Sequence, residues 1–292
     1  MHGVLVVDKL RGITSHDVVA AARRALGETR IGHTGTLDPL ATGVLPLAVG
    51  CATRLVRFLT ASDKDYAATV RFGLTTDSYD ITGRETARTD RAPSPEALVS
   101  AIQTLTGDYL QEPPAFSAKK IGGRRAYDLA RRAEPVVLRP VPVRVSAACL
   151  IDFSDGQAQI TLTCSAGFYV RAFAHALGQL TGTGACLEAL RRMRSGEFHV
   201  DAAIAMTSLQ DPASVNAHLV PTEALLPRFP AVSLTERGRA HVTHGRELGP
   251  DDYAPGLADP EWARLFDASG DLVALARPGR SPGALHPSVV LI

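Results

Sequence analysis

A chain of 292 residues has room for about two domains and is far too long for a disulfide-stapled peptide or a single metal finger. With 45% apolar and 21% charged residues it buries a core rather than staying disordered, and its longest apolar stretch, residues 39–53, is too short for a bilayer and is broken by Thr42, Gly43 and Pro46. A net charge of +1 argues against a uniformly basic nucleic-acid protein, yet residues 117–144 hold eight basic against two acidic residues, whereas 228–292 hold seven basic and eight acidic.

The first nine residues have no basic start before their apolar run and no small-residue cleavage site, so they read as a strand and a cytoplasmic location is expected. Residues 8–15, a turn-rich loop, place Thr14 or Ser15 to cap a helix over 16–26, where Val18, Val19, Ala22 and Leu26 recur at helical spacing. Residues 30–46 contain three glycines and two prolines, which predicts irregular structure throughout. Further on, 66–73 alternates like a strand, 94–105 is an amphipathic helix, 159–164 is a second strand, and 167–180 is a helix entered through a tight turn. Strands and helices do not alternate regularly, so the pattern is α/β in the α+β sense and not a doubly wound parallel sheet. Pro221, Pro227 and Pro230 mark a boundary, after which 229–292 reads as a small β-rich module near the lower limit of independent stability. Cys51, Cys149, Cys164 and Cys186 are widely spaced and suggest neither a zinc site nor a disulfide framework.

Asp38 stands in Gly35-Thr36-Leu37-Asp38-Pro39, where glycine and proline constrain the backbone around a carboxylate. On those five residues alone an Asx-turn before proline is the simpler reading. The longer run Gly32-His33-Thr34-Gly35-Thr36-Leu37-Asp38-Pro39-Leu40-Ala41-Thr42-Gly43-Val44-Leu45 changes this, because fourteen consecutive positions resemble the catalytic motif of the TruB family of tRNA pseudouridine synthases. The resemblance extends over 8–15 (with Leu10 where proline is usual), 63–66, 76–83, 111–131 and 164–171, and more weakly over 229–292, which is similar to a PUA domain. Ala176 departs from the family, which has aspartate there.

The resemblance implies a mixed, largely antiparallel pseudouridine synthase catalytic domain over 1–228 with an RNA-binding insertion at about 112–142, followed by a PUA-like domain over 229–292. It implies isomerisation of uridine in the tRNA T loop (position 55 in family naming), with tRNA as partner, no obligatory protein partner and a monomeric state. Breaking the N1–C1′ bond and joining C5 to C1′ requires no cofactor and no metal, in keeping with the lack of a Walker or dinucleotide fingerprint in the sequence. Asp38 would be the catalytic carboxylate, adding to uracil C6, attacking C1′ or assisting its deprotonation. A carboxylate that stays ionised in a pocket closed to water needs an adjacent cation. Arg171 is the matched partner, although arginines in general are mostly exposed. Tyr66 would stack on the base and take part in proton transfer at C5; otherwise it is a strand tyrosine. Tyr169 would shape the pocket, or serve as a core aromatic.

A stacked uridine cannot offer both its base and C1′, so the nucleotide must be flipped out, and His33 would fill the space it leaves. Lys9, Lys64, Lys119, Lys120, Arg125 and Arg131 would contact phosphates, the alternative being an ordinary solvated face. A non-catalytic tRNA-binding or folding protein is the rival reading, and a nucleoside glycosidase, which needs a second acid near Asp38, is a third.

Overall fold

The computed structural model describes residues 1–117, 138–254 and 260–292 in full, and 120–121 and 124–125 by backbone alone. Lys119 and Arg131, and the side chains of Lys120 and Arg125, therefore lie outside the described residues; the backbones at 120 and 125 are paired in a short antiparallel ladder. Among the described residues no helix is long and apolar enough to cross a membrane.

The framework is a mixed sheet whose strands, in chain order, are β1 (Gly3–Lys9), β2 (Ile31–His33), β3 (Thr42–Val49), β4 (Lys64–Phe72), β5 (Gly107–Gln111), β6 (Val141–Ser154), β7 (Gln157–Cys164), β8 (Ala185–Ser195), β9 (Phe198–His199), β10 (Ile204–Ala205) and β11 (Leu219–Pro221). The spatial order is β10-β1-β3-β8-β4-β7-β6-β5, with β2 beside β3, β9 beside β8 and β11 beside β1. Only β1–β10 and β3–β8 are parallel. The largely antiparallel order confirms the α+β reading.

Three helices lie against one face. In α1 (Ser15–Leu26), Thr14 caps the first turn by accepting from the Asp17 N–H while the Asp17 carboxylate accepts from Thr14, a reciprocal box that fixes where the helix begins. Ser94 caps α2 (Pro95–Thr104), and Gln111 holds the entry to α3 (Val170–Leu180), its amide bonding both N–H and C=O of Tyr169 at 2.8 and 3.1 Å. Val18, Leu98, Phe173 and Leu177 from these helices pack on Leu5, Val7, Leu47, Val70 and Ile160 of the sheet. Gly178 lets α3 approach β8 closely, since a Cβ there would sit 2.0 Å from the Ala185 nitrogen.

Residues 30–46 correct the expectation of irregularity: β2 lies within them and β3 runs through Gly43 and Pro46. The Pro46 carbonyl accepts from the Thr34 N–H, so its nitrogen faces the same edge, in the gap between the stretches of β3 paired with β8 and with β2. No ladder donor is required at that point.

The alternate residues of β1 and β3, Val4, Val6, Val44 and Ala48, are buried on the opposite face beneath the carboxy-terminal module. That module contains β12 (Ala231–Ser233), β13 (Ala263–Phe266), β14 (Leu272–Pro278) and β15 (Leu285–Val290), forming a four-stranded sheet with a short helix, α4 (Glu236–Thr243). It has a small core of its own around Val242, Leu265 and Val273. Leu272, Leu275 and Leu291 nevertheless share a core with β1 and β3, and Trp262 meets Phe58 edge-on with ring centroids 4.6 Å apart. Two-sided burial is why β1 reads as an uninterrupted apolar run instead of alternating.

Candidate active site

The loop between β2 and β3 carries Asp38, and four ties hold its backbone. Ser15 Oγ accepts from the Leu37 N–H at 2.8 Å and donates to the Leu37 carbonyl at 3.0 Å. Lys9 Nζ donates to the carbonyls of Ala41 (2.6 Å), Asp38 (3.1 Å) and Leu10 (3.1 Å). The Gly12 N–H reaches the Pro39 carbonyl at 2.7 Å, and Arg192 Nη2 reaches the Gly35 carbonyl at 3.0 Å. A loop tied at so many points presents its carboxylate in a fixed place, the condition for preorganised chemistry.

Arg171, in the first turn of α3, meets that carboxylate with Nε 2.9 Å from Oδ2 and Nη2 3.4 Å from Oδ1. The rest of its fork is anchored: Nη1 donates to the Ser78 carbonyl at 3.1 Å and lies 3.7 Å from Asp80 Oδ2, while Nη2 donates to the Phe116 carbonyl at 2.9 Å. Asp80 Oδ1 accepts from Ser78 Oγ (2.9 Å), the Thr82 N–H (3.0 Å) and Thr82 Oγ1 (2.5 Å). Arg171 and Asp80 are buried, whereas the Asp38 side chain retains 38% of its exposure. A rigid, charged fork is thus locked from behind by one acid while its open edge orients another.

Asp38 opens onto a cavity of about 410 Å³ that is also lined by Lys64 and Tyr66 of β4, Tyr169 and Arg171 at the start of α3, and Leu190 and Arg192 of β8. Burial pushes the phenols of Tyr66 and Tyr169 above the ordinary tyrosine value. His33 lies outside the cavity lining, at the end of β2, edge-on to His16 with ring centroids 6.0 Å apart. Partial burial, then the charges of His16 and Arg192, lower its pKa and favour the neutral ring.

The structure therefore unites Asp38, Tyr66, Tyr169 and Arg171, with His33 nearby. It corrects the reading of Lys9 and Lys64 as phosphate contacts. Lys9 is 0% and Lys64 6% exposed, and Lys64 Nζ donates to the carbonyls of Thr60 and Ser62 as Lys9 does to its own three. Burial lowers the pKa of each to about 8. They are internal ties. Three other side chains at the site have no role in the sequence reading: Asp80 and Gln111, which stand inside the matched runs 76–83 and 111–131, and Arg192, which stands outside them. The run Leu190-Arg191-Arg192-Met193-Arg194 held a signal, since strand alternation sends Arg191 and Arg192 to opposite faces.

The sheet order and an aspartate–arginine pair beside a tyrosine in one cavity define a pseudouridine synthase type of catalytic fold. Residues 23–170 match the TruB family pseudouridylate synthase N-terminal domain, and 171–227 match the tRNA pseudouridylate synthase B C-terminal domain. Curated proteins named tRNA pseudouridine synthase B are similar over nearly their whole lengths: that of Solibacter usitatus is 42% identical with 100% of both chains covered, and that of Cutibacterium acnes 43% identical, covering 94% of this chain and 93% of the relative. The fold also matches a solved H/ACA ribonucleoprotein bound to a substrate RNA containing 2′-deoxyuridine, with TM-score 0.77, 23% identity, and 99% of this chain and 85% of the other covered. A Cbf5–Nop10–Gar1 complex matches with TM-score 0.76, 25% identity, and 99% and 85% coverage. The chain belongs to the TruB family of pseudouridylate synthases, and is an isomerase.

Proposed function

We propose that the chain converts uridine to pseudouridine in the T loop of tRNA, at the position the family names 55, and that Asp38 is the catalytic carboxylate. The observation that carries this reading is the two-pronged contact of Arg171 with Asp38, at 2.9 and 3.4 Å, on the wall of a cavity it shares with Tyr66. The cavity is at the smaller end of the range that takes small organic ligands and suits a single flipped nucleoside. Once the base is in place, Tyr66 and Tyr169 offer aromatic faces against it, and Arg171 holds Asp38 oriented toward the uracil ring or C1′. His33 is placed outside to take the space vacated in the RNA loop, offsetting part of the few kcal/mol that unstacking costs. The insertion at 112–142 and the PUA-like module over 229–292 supply phosphate contacts beyond the loop.

A glycosidase would need a second acid facing the substrate. Asp80 lies on the other side of the Arg171 guanidinium and is absent from the lining of the cavity that holds Tyr66, although it shares an adjoining cavity of about 360 Å³ with Asp38. The deciding experiment is Asp38→Asn, assayed by tritium release from C5-labelled uridine in tRNA alongside filter binding. Release should stop while binding persists. Isomerisation at more than a small fraction of the wild-type rate would overturn the assignment, and released free uracil would point to the glycosidase.

A further inference from the structure

Arg192 is the largest fully buried side chain among the described residues, 1% exposed, and the chemistry proposed so far leaves it without a part. Its strand position explains the burial: on β8 its main chain registers with Gly43 of β3 on one side and Tyr66 of β4 on the other. Gly43, at φ 97°, permits that approach, because a Cβ there would lie 2.2 Å from the Arg192 carbonyl oxygen. The guanidinium is held by neutral groups only, Nε on the Val44 carbonyl at 2.7 Å and Nη2 on the Gly35 carbonyl at 3.0 Å. Among the described residues no carboxylate forms an ion pair with it, although arginine remains charged when buried.

A desolvated cation with no counter-ion is costly, so its place in the cavity wall calls for a reason. Its field reaches the whole site, helping to lower the pKa of Lys9, Lys64 and His33. Tyr66 is its directly opposed cross-strand neighbour, and directly opposed side chains share a face with Cβ atoms about 5 Å apart. At the phenol burial dominates and raises the pKa; the charge of Arg192 acts against it, whereas Cys164 and Asp38 act with it.

We propose that Arg192 is a positioning residue for the last proton transfer of the reaction, its charge stabilising the Tyr66 phenolate that takes the proton from C5. The step rests on the proposed function. After C5 has joined C1′, the phenol having released its own proton to solvent, the C5–H bond breaks; the proton forms a new O–H bond on Tyr66 and the electron pair returns to the uracil ring. A neutral phenol in a buried site cannot accept that proton, and Arg192 is the cation across the strand that favours the anion.

The test compares turnover of tRNA carrying C5-protio and C5-deuterio uridine by the wild-type chain, R192Q and R192K, with circular dichroism to establish folding. R192Q should slow pseudouridine formation about tenfold to a hundredfold, the range for losing one charge-assisted interaction, and raise the C5-deuterium isotope effect because C5–H cleavage now limits the rate. R192K, which keeps the buried charge but not the fork, should show the same two changes to a smaller degree and decides the matter if R192Q does not fold. Replacing Tyr66 by the more acidic 3,5-difluorotyrosine in the slowed variant should restore rate and lower the isotope effect. A slowed variant with an unchanged isotope effect, or one that the fluorinated phenol does not rescue, would reduce Arg192 to a structural strut. No pseudouridine from the wild-type chain would instead sink the proposed function itself.

Discussion

Asp80→Asn probes the part of the site that lies behind Arg171. The substitution keeps the size of the side chain and the Oδ1 acceptor used by Ser78 and Thr82, and replaces the oxygen that lies 3.7 Å from Arg171 Nη1 with an amide nitrogen. At that separation and an effective dielectric of about 20, the gross attraction is about 4.5 kcal/mol. Part is returned because a neutral amide costs less to bury than a carboxylate, which leaves about 2–3 kcal/mol for holding the fork in register with Asp38. If that energy is expressed in the transition state, kcat falls roughly 30- to 150-fold. Affinity for tRNA should not change, because Asp80 is only 5% exposed and its carboxylate is engaged by Ser78, Thr82 and Arg171. Single-turnover tritium release at saturating enzyme, with filter binding in parallel, reads both. A kcat within threefold of wild type, or a loss confined to affinity, would show that Asp80 does not hold the arginine.

Neutralising Lys119, Lys120, Arg124 and Arg125 together should flatten the slope of log affinity against log salt by up to about 3, while kcat at saturating tRNA is kept; an unchanged slope would make the segment a solvated surface. Deleting residues 229–292 should destabilise the rest of the chain. Val4, Val6, Val44 and Phe58 would lose the cover of Leu272, Leu275 and Leu291, each buried side chain contributing about 1.5–3 kcal/mol, so the truncated chain should unfold or aggregate well below the wild-type Tm. An unchanged Tm by calorimetry would refute that. For Lys64, whose folded pKa is lowered to about 8, the unfolded chain holds the proton between about pH 8 and 10.5 while the folded chain has lost it. The charge therefore opposes folding at lower pH, and wild type should gain stability relative to Lys64→Met as pH rises through that window, by urea unfolding; a difference independent of pH would mean that Lys64 titrates normally.

The proposed site was legible through the family resemblance, which runs of neighbouring residues carry; on the residues alone Asp38 reads as an Asx-turn and Arg171 as an exposed arginine. A glycine and a proline around Asp38, a tyrosine early in an alternating strand and an arginine after a tight turn are patterns of neighbours in the chain, and the Thr14–Asp17 capping box likewise sits within four residues. Whether a charged side chain faces water depends instead on which strands become its neighbours, and those contacts lie far away in sequence. Lys9 reaches across to Ala41, Arg192 back to Val44, and Arg171 to Ser78, separations that no window of residues displays. Pro46 lies within a strand because neither β8 nor β2 needs a ladder donor from its nitrogen at that point. The carboxy-terminal module could be delimited by its prolines, but its Leu272, Leu275 and Leu291 complete a core begun by Val4 and Val6, and apolar residues in a sequence do not state what they will be buried against. Burial and pairing are properties of the assembled sheet, so the sequence marked the candidate reacting groups through short runs of neighbours, whereas which charges hold them in place follows only from the fold.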